Sequence, residues 1–162
     1  MKTLLAMTAL ACALLNGSAF AALSLQRTAT LGDSAGGTIS ISTSGTIEIP
    51  GADTTSQVTL TNFHPHDNTG VVVSGNLTRT HERSNETVTN VYNGSVTLTG
   101  ADKDGKPLND SLTLQNLQVV RDGEGPVFSG TIVFNGNSTD ATHVPDAVKH
   151  LLHRVLRLFE FG

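Results

Sequence analysis

The sequence predicts a mainly β fold: an antiparallel meander of about eight strands, forming a sandwich or a small barrel, with one C-terminal amphipathic α-helix. Three observations predict it. After residue 21, apolar residues alternate with Thr and Ser at period two through most of the chain. Turn-forming residues separate these runs, and one stretch near the end switches to period 3.6. Strand–helix–strand alternation is absent from the pattern, which argues against a parallel α/β sheet.

Residues 1–21 read as a cleavable secretory signal and stand outside the fold. Lys2 supplies the positive start, Thr3 to Leu15 is almost wholly apolar, and Ala19-Phe20-Ala21 offers the small-x-small pattern of a cleavage site after Ala21. The apolar run falls short of the roughly 20 residues that span a bilayer. Cleavage at Cys12 as a lipoprotein ranks lower, because Ala9-Leu10-Ala11 is a poor match and the leader would be unusually short. Cys12 is the only cysteine, so the mature chain cannot form a disulfide although its destination permits them. This favours a bacterial protein, periplasmic or secreted. The Asn-x-Ser/Thr triplets starting at Asn76, Asn85, Asn93, Asn109 and Asn137 follow from a Thr-, Ser- and Asn-rich composition.

The remainder divides into a β-rich domain, residues 22–143, and a helical segment, residues 144–162. Ile39 and Ile41, then Ile47 and Ile49, then Val58 and Leu60, alternate with polar residues. Val71, Val73 and Leu77 share a face around Gly75; Val96 and Leu98 share another, as do Leu112 and Leu114; Phe128, Ile132 and Phe134 share the last around Gly130. Thr fills the opposite faces, as a half-solvated antiparallel sheet requires. Turns are expected at Ser44-Gly45, Pro50-Gly51, Asn68-Thr69-Gly70, Asn93-Gly94, Asp104-Gly105, Asp122-Gly123 and Asn135-Gly136. Asn93-Gly94 is the sharpest of these, reading as a two-residue type I′ hairpin. Between Leu114 and Leu117 the apolar parity slips by one, which predicts a bulge near Gln115-Asn116.

The helix runs from Pro145 to Phe159. Pro145 suits the first position and Asp146 the first turn. Val148, Leu151, Leu152, Val155, Leu158 and Phe159 form one stripe, with Lys149, His150, His153, Arg154, Arg157 and Glu160 mostly opposite. A surface helix ordinarily turns such a stripe to its own core. The alternative is a basic amphipathic helix 145–159 lying on a membrane or a partner protein.

Chemistry-bearing motifs are sparse. His64-Pro65-His66-Asp67 could hold zinc or copper through two imidazoles, with His81 reaching the ion across a hairpin. The same segment reads as a polar loop, because Pro65 and Asn68 are turn residues. Asp102, Asp104, Gly105, Asn109 and Asp110 resemble a calcium loop, but Gly100 and Ser111 occupy the positions of its first Asp and its bidentate Glu. The sequence carries no nucleophile elbow, P-loop or dinucleotide fingerprint. Glu48, Asp53, Glu82 and Glu86 cannot be paired from sequence into a glycosidase dyad. With net charge −4 there is no basic field for nucleic acid.

The expectation is therefore an exported, non-catalytic β domain, without a cofactor, that binds or builds something at the cell envelope or beyond. One version self-associates through strand edges. Another closes into a barrel around an apolar ligand, lined by Val71, Val73, Phe128, Ile132 and Phe134. The third is an envelope metal-binding protein using His64 and His66.

Overall fold

The computed structural model describes residues 22–48, 51–65, 70–101 and 104–161. The segment read as a signal, with the cleavage expected after Ala21, lies outside the described residues, as do Ile49, Pro50, His66, Asp67, Asn68, Thr69 and Asp102. Eight strands follow one another: β1 (Leu23–Gly32), β2 (Thr38–Glu48), β3 (Gly51–Phe63), β4 (Val71–Ser84), β5 (Thr87–Ala101), β6 (Pro107–Arg121), β7 (Pro126–Phe134) and β8 (Asn137–Asp140). Each pairs antiparallel with the next, so sheet order is chain order, and the sheet is not closed. A 3-10 turn (Ala141–His143) leads into α1 (Asp146–Arg157), which ends in a second 3-10 turn (Leu158–Phe161).

The strands are longer than the apolar runs suggested, because two expected turns lie inside strands. Ser44-Gly45 falls within β2 and Asn93-Gly94 within β5. The hairpin before β5 turns instead at Asn85-Glu86, where Ser84 pairs with Thr87 and Asn85 takes a φ of 50°. Gly94 is required by its neighbour strand: a Cβ there would collide with the Asn76 carbonyl oxygen on β4. Local sequence cannot distinguish that requirement from a turn signal. The bulge at Gln115-Asn116 is present. The β6–β7 register shifts between Gln115 and Gln118, Asn116 adopts a φ of 49°, and its backbone N–H donates to Asn93 Oδ1 at 2.8 Å.

Directly paired residues share a sheet face. Following the register, Ala29, Ile41, Val58, Leu77, Gly94, Leu114 and Ile132 form one row across the sheet, and Leu31, Ile39, Leu60, Gly75, Val96, Leu112 and Phe134 form the next. Their large side chains are the centre of the hydrophobic core. Four of the five residues expected to line a barrel pocket take part in it: Val73 and Ile132 are buried, and Val71 and Phe134 pack against them. Phe128 stands outside the core and is exposed.

The helix closes this face. Val148, Leu152, Val155 and Phe159 belong to the same buried core, while Lys149, His150, His153, Arg154 and Arg157 are exposed. Phe159 meets the Tyr92 ring edge-on at 5.5 Å. The stripe that a membrane or a partner would need is thus turned inward. Each such side chain contributes about 1.5–3 kcal/mol on burial. Deleting residues 145–162 should therefore abolish the sheet's cooperative unfolding transition, followed by circular dichroism; an intact sheet in the truncated chain would show the helix to be an accessory.

Close approach also fixes Gly130 of β7, which has a φ of 101° and would drive a Cβ into the Asn116 carbonyl oxygen at the bulge. Gly36, with a φ of 89°, faces open space. By denaturant titration, Gly130→Ala should cost about 3 kcal/mol and Gly36→Ala about 1 kcal/mol, since only the first adds a backbone collision to the left-handed strain.

Candidate functional site: a basic end of the inward face

Beyond the apolar rows the inward face changes character. The next row along the strands is Arg27, Thr43, Ser56, Arg79, Tyr92 and Leu117. It is followed by Leu25, Gly45, Thr54, His81, Asn90, Val119 and Phe128, and then by Leu23, Ile47, Ala52, Arg83, Val88, Arg121 and Pro126. Four arginines and a histidine stand in these rows, and no Asp or Glu does. The nearby acids Asp53 and Glu82 pair with each other's strand on the opposite face.

Arg79 sits at the centre. It continues the inward phase of Leu77, so β4 must carry its cation under the helix terminus. Its guanidinium lies 5.4 Å from the centroid of the Phe159 ring, a cation–π contact, and donates a long hydrogen bond of 3.4 Å to Ser56 Oγ. Among the described residues, no hydrogen-bond partner meets the buried Arg79 Nε. Ser56 is buried and shares a 2.9 Å hydrogen bond with Thr43 Oγ1. In the next row His81 Nδ1 lies 2.9 Å from Oδ1 of the buried Asn90. Ser56 and His81 are thus near in register, yet each is bonded elsewhere.

A second polar cluster sits at the other end of the strands. Asp33 Oδ1 accepts from the backbone N–H groups of Ala35 and Gly37, at 2.9 and 2.8 Å. Its Oδ2 accepts the His64 backbone N–H at 2.7 Å and lies 2.9 Å from His64 Nδ1. The Asp33 side chain is 3% exposed and that of His64 25%. This clasp ties the β1–β2 turn to the end of β3. The His64 backbone N–H foremost, then the His64 ring and the Gly37 and Ala35 N–H groups, hold the Asp33 carboxyl down at about 2, against the opposing effect of burial.

Of the histidines expected as metal ligands, the two described ones, His64 and His81, do not come together. His64 belongs to the Asp33 clasp, and His66 lies outside the described residues. His81 pairs with Thr54, ten residues back along β3 from His64 (64 − 54), which places it on the order of 30 Å away. Among the described residues no group of three potential ligands gathers around a point. The polar residues that do gather (Ser56, Arg79, Asn90 and Tyr92) were missed. Their signal was present, because Ser56 keeps the phase of Val58, and Arg79 and His81 keep that of Leu77. Comparison with protein-family models, with curated proteins and with solved structures finds no match to this chain.

The clasp has a pH signature. A carboxyl with a lowered folded-state pKa stabilises the fold fully above its ordinary value of 3.8, and this contribution disappears as pH falls through about 2. Asp33→Asn should lower stability at neutral pH and flatten the acid limb of the stability profile between those values; an unchanged acid limb would show the clasp to be energetically silent.

Proposed function

We propose that this chain is an exported, non-catalytic β domain whose role at the cell envelope or outside the cell is to bind. The leader read in residues 1–21 supports export. The observation that carries the binding reading is the hydrogen-bonding of the inward polar rows. The Ser56 hydroxyl is engaged by Thr43 and Arg79, and the His81 ring by Asn90. A hydrolytic centre would instead need the hydroxyl on the imidazole and an oriented base behind it. Among the described residues, the three rows contain no carboxylate to serve as acid, base or nucleophile.

A structural or adhesive subunit is the second reading. It is favoured by β1, which presents ten residues at a sheet edge. Arg27 stands near the middle of that edge, so two copies pairing antiparallel about their centres would bring like charges together. That opposes self-pairing and leaves binding the preferred role.

Expression in a bacterial host, followed by fractionation and N-terminal sequencing, tests export: the mature protein should begin at Ala22 outside the cytoplasm. The same material should show no turnover on an ester, glycoside and peptide panel. Turnover lost in Ser56→Ala or His81→Ala would refute the non-catalytic assignment, and retention of Met1 in the cytoplasm would refute export.

A further inference from the structure

We propose that the basic end of the inward face is an oxyanion-binding site centred on Arg79, taking the carboxylate, sulfate or phosphate groups of an acidic ligand. The inference rests on the binding role above and names its ligand class.

Arginine carries five N–H donors in a fixed fork, and Nε with one terminal nitrogen forms the edge that grips an oxyanion with two parallel bonds. In this protein one terminal nitrogen is committed to Ser56 and the ring of Phe159 covers a face of the guanidinium, while the buried Nε donor has no acceptor among the described residues. A cation set among buried groups is costly unless it is paired and hydrogen-bonded. The ion pairs of Asp33 with His64 and of Asp146 with Lys149 leave Arg79 out. The stacked, buried ring and the neighbouring Ser56 and Tyr92 hold the guanidinium in place, as a pre-organised anion receptor needs.

The surroundings reinforce the same sign of charge. His81 and Arg83 follow Arg79 at alternate positions of β4, at steps of about 7 Å. Arg83 and Arg121 flank Val88 in one row, two strand spacings or about 10 Å apart. Arg27 lies in the row of Arg79 itself. The whole chain is acidic, with net charge −4, yet these three rows hold only basic charged residues. Segregation of this kind concentrates a positive potential where an anion can approach, with the Asp53 and Glu82 carboxylates on the far side of the sheet.

The protein carries its own reporter. Tyr92 is the only tyrosine in the chain and there is no tryptophan. Tyr92 is paired with Arg79 and in ring contact with Phe159, so occupancy of the site should alter its fluorescence.

The purified protein is titrated with sodium phosphate, with sodium sulfate and with an oligogalacturonate at fixed ionic strength, and followed by Tyr92 fluorescence and calorimetry. Saturable binding with Kd at or below about 1 mM is expected for at least one of the three. Free oxyanions as ligands would give saturation with phosphate or sulfate alone. Oxyanions borne on an acidic sugar chain would give at least about tenfold tighter binding of the oligogalacturonate, through several cations at once. Arg79→Met should abolish binding and the Tyr92 response. The exposed-site double variant Arg83→Gln/Arg121→Gln should weaken binding at least about fivefold and reduce its salt dependence. Absence of saturable binding in the native chain and also in Glu160→Gln, which removes the acid next to Phe159 in sequence, would overturn the proposal. So would native affinity in folded Arg79→Met. Should Arg79→Met fail to fold, native affinity in the double variant overturns it instead. Such a failure leaves the protein exported and without turnover, whereas failure of the binding role itself would appear as catalysis in the hydrolase panel.

Discussion

A single sheet running in order from β1 to β8 buries one face only if something covers it, and in this protein the cover is α1. The apolar rows through Leu77 and Val96 would otherwise meet water along much of their length. The chain has a single cysteine, Cys12, so no disulfide within it can replace that packing. The stripe Val148, Leu152, Val155 and Phe159 is therefore the contact on which the rest depends. Its sequence position also sets the geometry. The helix starts beyond β8, beside the 3-10 turn packed against β7, and the turn that follows it reaches β3. The cover thus spans the middle strands and ends on Arg79 and Tyr92.

That end point explains why the inward face has two halves. Aliphatic side chains fill the rows beneath the helix body. Past Phe159 the rows carry Ser56, Arg79, His81 and Asn90, which the sheet can seat there because hydroxyls, an amide and an aromatic face satisfy much of their polarity. A domain built for stability alone would gain by replacing Arg79 with an apolar residue of similar volume. The bulge at Asn116 serves the same layout. Asn116 takes the left-handed conformation and bonds Asn93, and the shift lets Leu114 and Leu117 both point inward on either side of it.

Much of the architecture was legible because period two survives along these strands. Ile39, Ile41, Val58, Leu60, Val96, Leu112 and Leu114 were read in the phase they occupy, and the parity slip located the bulge. The helix was legible for the analogous reason at period 3.6. What local sequence could not express was close approach between strands. Gly45 and Gly94 are glycines because adjacent backbone leaves no room for a Cβ, yet beside Ser44 and Asn93 they read as turns. The candidate site was hidden by a related ambiguity. Arg79 and His81 look like solvated residues until the register shows that they extend the phase of Leu77 under the helix terminus. The clasp of Asp33 with His64 joins residues 31 apart in sequence and had no local signal at all.

Native-state hydrogen exchange asks whether the helix and the sheet are one cooperative unit. If α1 is the cover of the core, its amides at Leu152 and Val155 should exchange only through the same opening that releases Leu77 and Tyr92, with matching free energies across a denaturant series. Exchange of the α1 amides through a cheaper local opening, with β4 and β5 still fully protected, would show that the sheet holds its core without the helix.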